Sequence, residues 1–208
     1  MHALVSVTIS MTIIVLLMIR QVLRHRISEA KIDSFADLLP QFIVLVTYGL
    51  PAAIFLIKDK ERLRSVGITT HNLWQASLIG FLLAGTTLVF GEGGPEGVLH
   101  KIQPQRLLSL VYFAFVGFGE EFLFRGYLQN RAVAWLGTWR GWLLASVVMA
   151  IVHFPHRLLF GRMTVLEATI ASAALIPVSL LMGFVMLRTK NIVAPGLFHT
   201  FANWTSNL

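Results

Sequence analysis

Glu120 and Glu121 stand side by side, with Arg125 one helical turn further on, inside a run from Gly117 to Gly126 that is otherwise glycine and apolar. An ionisable group at the centre of a bilayer costs about 2.5 to 3.5 kcal/mol on insertion scales, so such a group is read first as part of a working site. Glu121 and Arg125 have i, i+4 spacing with the acid on the N-terminal side, the favourable order for an ion pair along one helix face. That pair suits a supporting role. Glu120 is turned about 100° from its neighbour by the 3.6-residue helical repeat, and the residue four positions on is Phe124. It is the freer acid, and the small Gly117 and Gly119 before it leave room for another helix or a substrate backbone.

Elimination narrows the remaining chemistry. The chain has no cysteine, which excludes disulfides, thiolate ligands and a cysteine nucleophile. Its aspartates, Asp33, Asp37 and Asp59, all precede residue 60 in loops, so a paired-aspartate protease is not expected. Neither GxSxG nor HExxH occurs. Glutamate and histidine are left. His153 lies near the end of one expected helix, and His199 and Asn203 sit at i, i+4 on the last. If these converge on Glu120, the carboxylate can take a proton from water while a histidine orients it. A second histidine and a carboxamide then suit the developing oxyanion. Glu120, His153 and His199 equally make a possible catalytic zinc set, two histidines and one carboxylate with an open position. His156, beyond Pro155, reads as an interfacial residue, and Glu167, three residues after Thr164, as a helix cap. The GEGGPEG stretch from Gly91 to Gly97 lacks a following GK[ST] and reads as a flexible turn with no phosphate-binding role.

These residues need a scaffold that crosses lipid. Of 208 residues, 56% are hydrophobic and only 13% charged, too apolar for an ordinary soluble domain. A span needs about 20 apolar residues. The expectation is therefore a single all-α integral membrane domain over 1–208, a polytopic membrane helical bundle of about seven (six to eight) transmembrane helices enclosing a polar catalytic cavity. The expected helices cover Ala3 to Ile19, Phe35 to Ile57 with a kink near Gly49 to Pro51, Asn72 to Phe90 with Asn72 and Gln75 as a capping pair, and Pro104 to Trp135. Three more cover Thr138 to His153, a helix capped by Thr164 and Glu167 that runs through Pro177 to Leu187, and Ile192 to Trp204. The first, followed by Arg20, Arg24, His25 and Arg26, has the reverse charge order of a cleavable signal and reads as an uncleaved span. Trp135, Trp139, Trp142 and Trp204 read as interface anchors and packing. The net charge of +7 is scattered between apolar runs without a stacking surface, which argues against nucleic acid and for lipid headgroups. Basic residues fall evenly on both sides, so charge sets no orientation, and oligomeric state is not legible.

The string EEFLFR fits EExxxR, Met149 to His153 falls where FxxxH is expected, and His199 to Asn203 fits HxxxN, in that order. The chain resembles the CPBP group of intramembrane proteases, which includes CAAX prenyl endopeptidases and bacteriocin-processing or self-immunity proteins, over about 106–204. The resemblance implies that Glu120 is the general base assisted by His153, that His199 and Asn203 form the oxyanion site, and that Glu121 with Arg125 holds the helix in place. It implies a membrane-associated peptide or protein substrate, C-terminally prenylated in the best-known cases, and the small size suits a prokaryotic plasma membrane. One residue departs from the pattern: Met149 stands where an aromatic is usual, a change of packing that removes no catalytic group. No cofactor is expected, with zinc through Glu120, His153 and His199 as the alternative. Two rival functions are a proton-coupled small transporter and a non-catalytic immunity or scaffold protein.

Overall fold

The computed structural model describes residues 2–23, 35–90, 94–101 and 104–206, and the expected basic run at Arg24 to Arg26 and the first three residues of the GEGGPEG stretch lie outside them. The elements are α1 (His2–Leu23), α2 (Leu38–Lys58), α3 (Leu73–Phe90), α4 (Gly94–Lys101), α5 (Pro104–Glu121), a π-helical segment (Phe122–Gln129) and α6 (Asn130–Leu136). The chain continues as α7 (Thr138–Val152), α8 (Phe154–Leu159), α9 (Val165–Ala173), α10 (Ile176–Thr189) and α11 (Val193–Ser206). No strand occurs among the described residues. The bundle is a polytopic helical membrane protein.

Its surface is the inverse of a soluble domain. Phe90 is 85% exposed, Ile57 78% and Trp139 76%. Ser6, Ser10, Glu121, Arg125, Gln129 and Asn191 are buried instead. Lipid tails cover such an exterior at no cost, so helix association relies on close packing and on polar contacts inside. Small residues supply the packing. Ala76, Gly80 and Ala84 repeat every four residues on the buried side of α3, and a Cβ on Gly80 would lie 2.9 Å from Leu197 and 3.1 Å from the Ala194 backbone.

Five stretches among the described residues are long and apolar enough to cross a bilayer: His2–Arg20, Leu73–Phe90, Leu107–Leu136, Thr138–Leu159 and Val165–Thr189. The expected seven helices are present, but two are of another kind. α2 adds a shorter apolar stretch, Leu45–Lys58. α11 has 14 residues, about 21 Å at 1.5 Å per residue, against about 30 Å of hydrocarbon. It can be short because it packs between α3 and α5.

Several expectations are corrected. The helix expected from Pro104 to Trp135 is α-helical only to Glu121, then π-helical, then α-helical again. Gly94 to Lys101 is a short helix and not a turn. The helix expected through Pro177 stops at Ala173 and restarts at Ile176. Pro177 falls in the first turn of α10, where its missing N–H is not needed. As expected, Pro51 sits inside α2, which continues past it. Asn72 does not cap α3. It has φ 53°, and its side-chain amide donates to the Thr189 carbonyl at the end of α10. Thr164 and Glu167 do form the capping box of α9.

The start of α11 is pinned by a residue whose role was not legible in the sequence. Asn191, fully buried, donates to the carbonyls of Thr69 (2.9 Å) and His71 (3.0 Å), and its Oδ1 accepts from the Val193 backbone N–H (3.0 Å). The Ile192 N–H donates to Gly67, which has φ 79°. The loop before α3 and the turn before α11 thus hold each other. Asn191→Ala strands two carbonyls and one N–H, so thermal unfolding in detergent is expected to show a loss of about 2 to 4 kcal/mol.

Candidate active site

α5 ends in the acidic pair, and the two acids face different partners. Glu120 Oε2 lies 3.6 Å from His153 Nε2 and 3.8 Å from His199 Nε2. Its side chain is 12% exposed, that of His153 27% and that of His199 14%. Glu121 faces inward, with a side chain only 1% exposed. Arg125 Nε approaches its Oε2 to 3.3 Å, a contact of opposite charges without hydrogen-bond alignment. Its Oε1 accepts a 2.9 Å hydrogen bond from His199 Nδ1. Glu121 is thus more than a strut along its own helix: it also orients a histidine 78 positions away.

Acceptor chemistry fixes both imidazoles. His153 Nδ1 lies 2.7 Å from the Met149 carbonyl, and a carbonyl only accepts, so Nδ1 carries the hydrogen. His199 Nδ1 faces a carboxylate and carries one too. In each neutral ring the Nε2 lone pair then points toward Glu120. Glu120 Oε2 is itself buried without a hydrogen-bond partner. With both rings neutral, three acceptors meet there, the two Nε2 atoms 3.6 and 3.8 Å from Glu120 Oε2, and a water molecule, with two O–H bonds, has the chemistry to fill that place. The contact to Met149 uses its backbone, so the departure from an aromatic at this position leaves the hold on His153 intact.

Helix approach explains the convergence. A Cβ on Gly117 would lie 2.9 Å from both the backbone N and Oγ1 of Thr200, so the glycine lets α11 close on α5 beside His199. A Cβ on Gly119 would run into Leu45 of α2. Both glycines admit neighbouring helices. α7 delivers His153 at its C-terminal end, and α8 follows at once with Pro155 in its first turn.

Beneath the acids, the π-helical segment is tied to α7 and α10. Arg125 Nη2 donates to Ser179 Oγ (3.2 Å), Ser179 Oγ to the Ser146 carbonyl (3.2 Å), and Gln129 Nε2 to the Gly183 carbonyl (2.9 Å). Ser146, Ser179 and Gln129 were not singled out in the sequence, because isolated polar residues in apolar helices carry no motif. A π-helical turn inside a membrane span is uncommon and recurs near functional sites.

Asn203 lies one turn beyond His199 on α11 and is half-buried. His156 is exposed and stacks on Phe160, ring centroids 5.4 Å apart. Glu167 is occupied as a cap. Among the described residues, no group of three or more His, Asp or Glu side chains is arranged to hold a metal ion. Two surface clefts, one lined by Leu128, Arg131 and Trp135 and the other by Met163, Glu167 and Ile170, do not include Glu120.

A helical bundle with an apolar exterior and a partly accessible glutamate between two oriented imidazoles defines a membrane protein with an acid–histidine centre. The sequence profile of the family described as type II CAAX prenyl endopeptidase, Rce1-like, matches residues 102–205, half of the chain and all of that centre. The chain belongs to this family, and at family level it is an intramembrane endopeptidase of the CAAX-protease type. No curated protein and no solved structure matches it.

Removing Arg125 leaves Glu121 buried with a histidine as its remaining partner. Arg125→Met is expected to cost about 3 kcal/mol or more in unfolding experiments. Adding Glu121→Gln, which removes the stranded charge, is expected to restore part of that loss.

Proposed function

We propose that this protein hydrolyses a peptide bond of a membrane-presented substrate, with Glu120 as the general base for a water held between it and the histidines. The carrying observation is the meeting of Glu120 Oε2 with two imidazole Nε2 atoms at 3.6 and 3.8 Å, in a place that needs a hydrogen-bond donor. A carboxylate in hydrogen-bond reach of water accepts its proton as the oxygen attacks the carbonyl carbon. His153, fixed by the Met149 carbonyl, orients that water. The proton then passes to the leaving amine.

The negative charge on the former carbonyl oxygen falls to His199 and Asn203. His199 gives an Nε2–H only while it carries two protons, and Asn203 offers an amide N–H. Glu121 acts through His199, and Arg125 acts through Glu121. The substrate class this supports is a peptide whose scissile bond lies near the bilayer surface, prenylated near its C-terminus as the family's description indicates, in a prokaryotic plasma membrane. The proposed reaction uses no metal.

The test is cleavage of a quenched fluorogenic peptide with an S-farnesylated CAAX tail by the purified full chain in detergent. Glu120→Gln preserves shape and removes the base, so kcat is expected to fall by about 10²- to 10⁴-fold. A chelator is expected to leave the wild-type rate unchanged. Loss of activity with chelator and recovery with added zinc would overturn the metal-free mechanism. Undiminished cleavage by Glu120→Gln would overturn the assignment of the base.

A further inference from the structure

The oxyanion is served thinly by the groups named so far. Both imidazoles commit Nδ1–H elsewhere, so in their neutral forms neither has an N–H to offer beside Glu120. The Asn203 amide is then the single donor named so far whose hydrogen is present whatever the state of the histidines, and a site of this kind gains from a second.

α2 carries such a donor to the right level. Phe42 meets Phe115 edge-on, with centroids 5.5 Å apart. Leu45 fills the space left by Gly119, and a Cβ on Gly49 would lie 3.5 Å from the ring of Phe122. These contacts advance together along both helices, so α2 and α5 run parallel along one seam. Tyr48, one turn past Leu45 and next to Gly49, comes level with Glu120. The phenols of Tyr48 and Tyr112 both lie within the field of the Glu120 carboxylate. The helix is held in this register from behind, because the fully buried Ser10 of α1 donates to the Tyr48 carbonyl at 2.9 Å. Tyr48 itself is only half-buried.

We propose that Tyr48 is a catalytic hydrogen-bond donor of this site: its phenol O–H binds the carbonyl oxygen of the scissile peptide and holds it more strongly as that oxygen becomes negative. The phenol keeps its proton throughout, and no bond to it forms or breaks. This assignment rests on the hydrolytic reading above, and it adds to the site a residue of α2, which lies outside the matched segment 102–205.

Tyr48→Phe removes the hydroxyl and nothing else. With the farnesylated peptide, kcat is expected to fall by about 10²-fold, in line with loss of one oxyanion donor, while KM and thermal unfolding stay near wild type. Ser10→Ala loosens α2 without touching the phenol, and it is expected to retain most of kcat. A kcat for Tyr48→Phe within about twofold of wild type overturns the proposal. So does an equal fall in both variants, because the cause is then displacement of the helix. A wild-type protein that leaves the peptide intact defeats the hydrolytic reading, and this assignment with it.

Discussion

The buried charge of Glu121 is the constraint from which the rest of the site follows. A carboxylate with no access to water must be balanced by opposite charge and by hydrogen bonds, because its desolvation is otherwise too costly. Arg125 supplies the charge from the next turn of the same chain, and His199 supplies the hydrogen bond from a helix far along the sequence. Satisfying Glu121 therefore fixes which nitrogen of His199 is turned outward, and that nitrogen faces Glu120. One acid stabilises the arrangement, and its neighbour is left facing the accessible side.

The same economy shapes the bundle. In lipid, apolar side chains gain little by turning inward, so close helix approach relies on glycine, alanine and serine at the contacts and on polar groups such as Glu121, Arg125 and Gln129 inside. Gly80 and Gly117 let α11 approach α3 and α5 closely, and Asn191 sets where that helix begins. A short helix held on both sides can carry a histidine to mid-bundle without spanning the membrane itself. The π-helical segment has a related function. Its side chains from Leu123 to Gln129 are all buried, and Arg125 and Gln129 reach α10 through Ser179 and Gly183.

Sequence alone determined the groups available for chemistry. With no cysteine, no aspartate beyond residue 60 and an acidic pair embedded in apolar sequence, glutamate and histidine were what remained. The ion pair of Glu121 with Arg125, the cap of α9 by Thr164 and Glu167, the helical class and the family were legible for the same reason. Each depends on residue type or on spacing within a turn or two, which the chain imposes locally.

What only the tertiary structure decided depends on which helices abut. The bond from His199 to Glu121 joins residues on separate elements, and no periodicity reports it. Asn191 looks like any turn residue until the carbonyls of Thr69 and His71 arrive beside it. The break between α9 and α10 and the change from α- to π-helix after Glu121 alter the faces that later residues present, and hydropathy is blind to both. Tyr48 reads as one more aromatic in an apolar run; it is the packing of Leu45 against Gly119 that brings it level with Glu120. Local spacing can name the acids and bases, but their mutual distances arise from helix contacts whose energy is shared across the whole bundle.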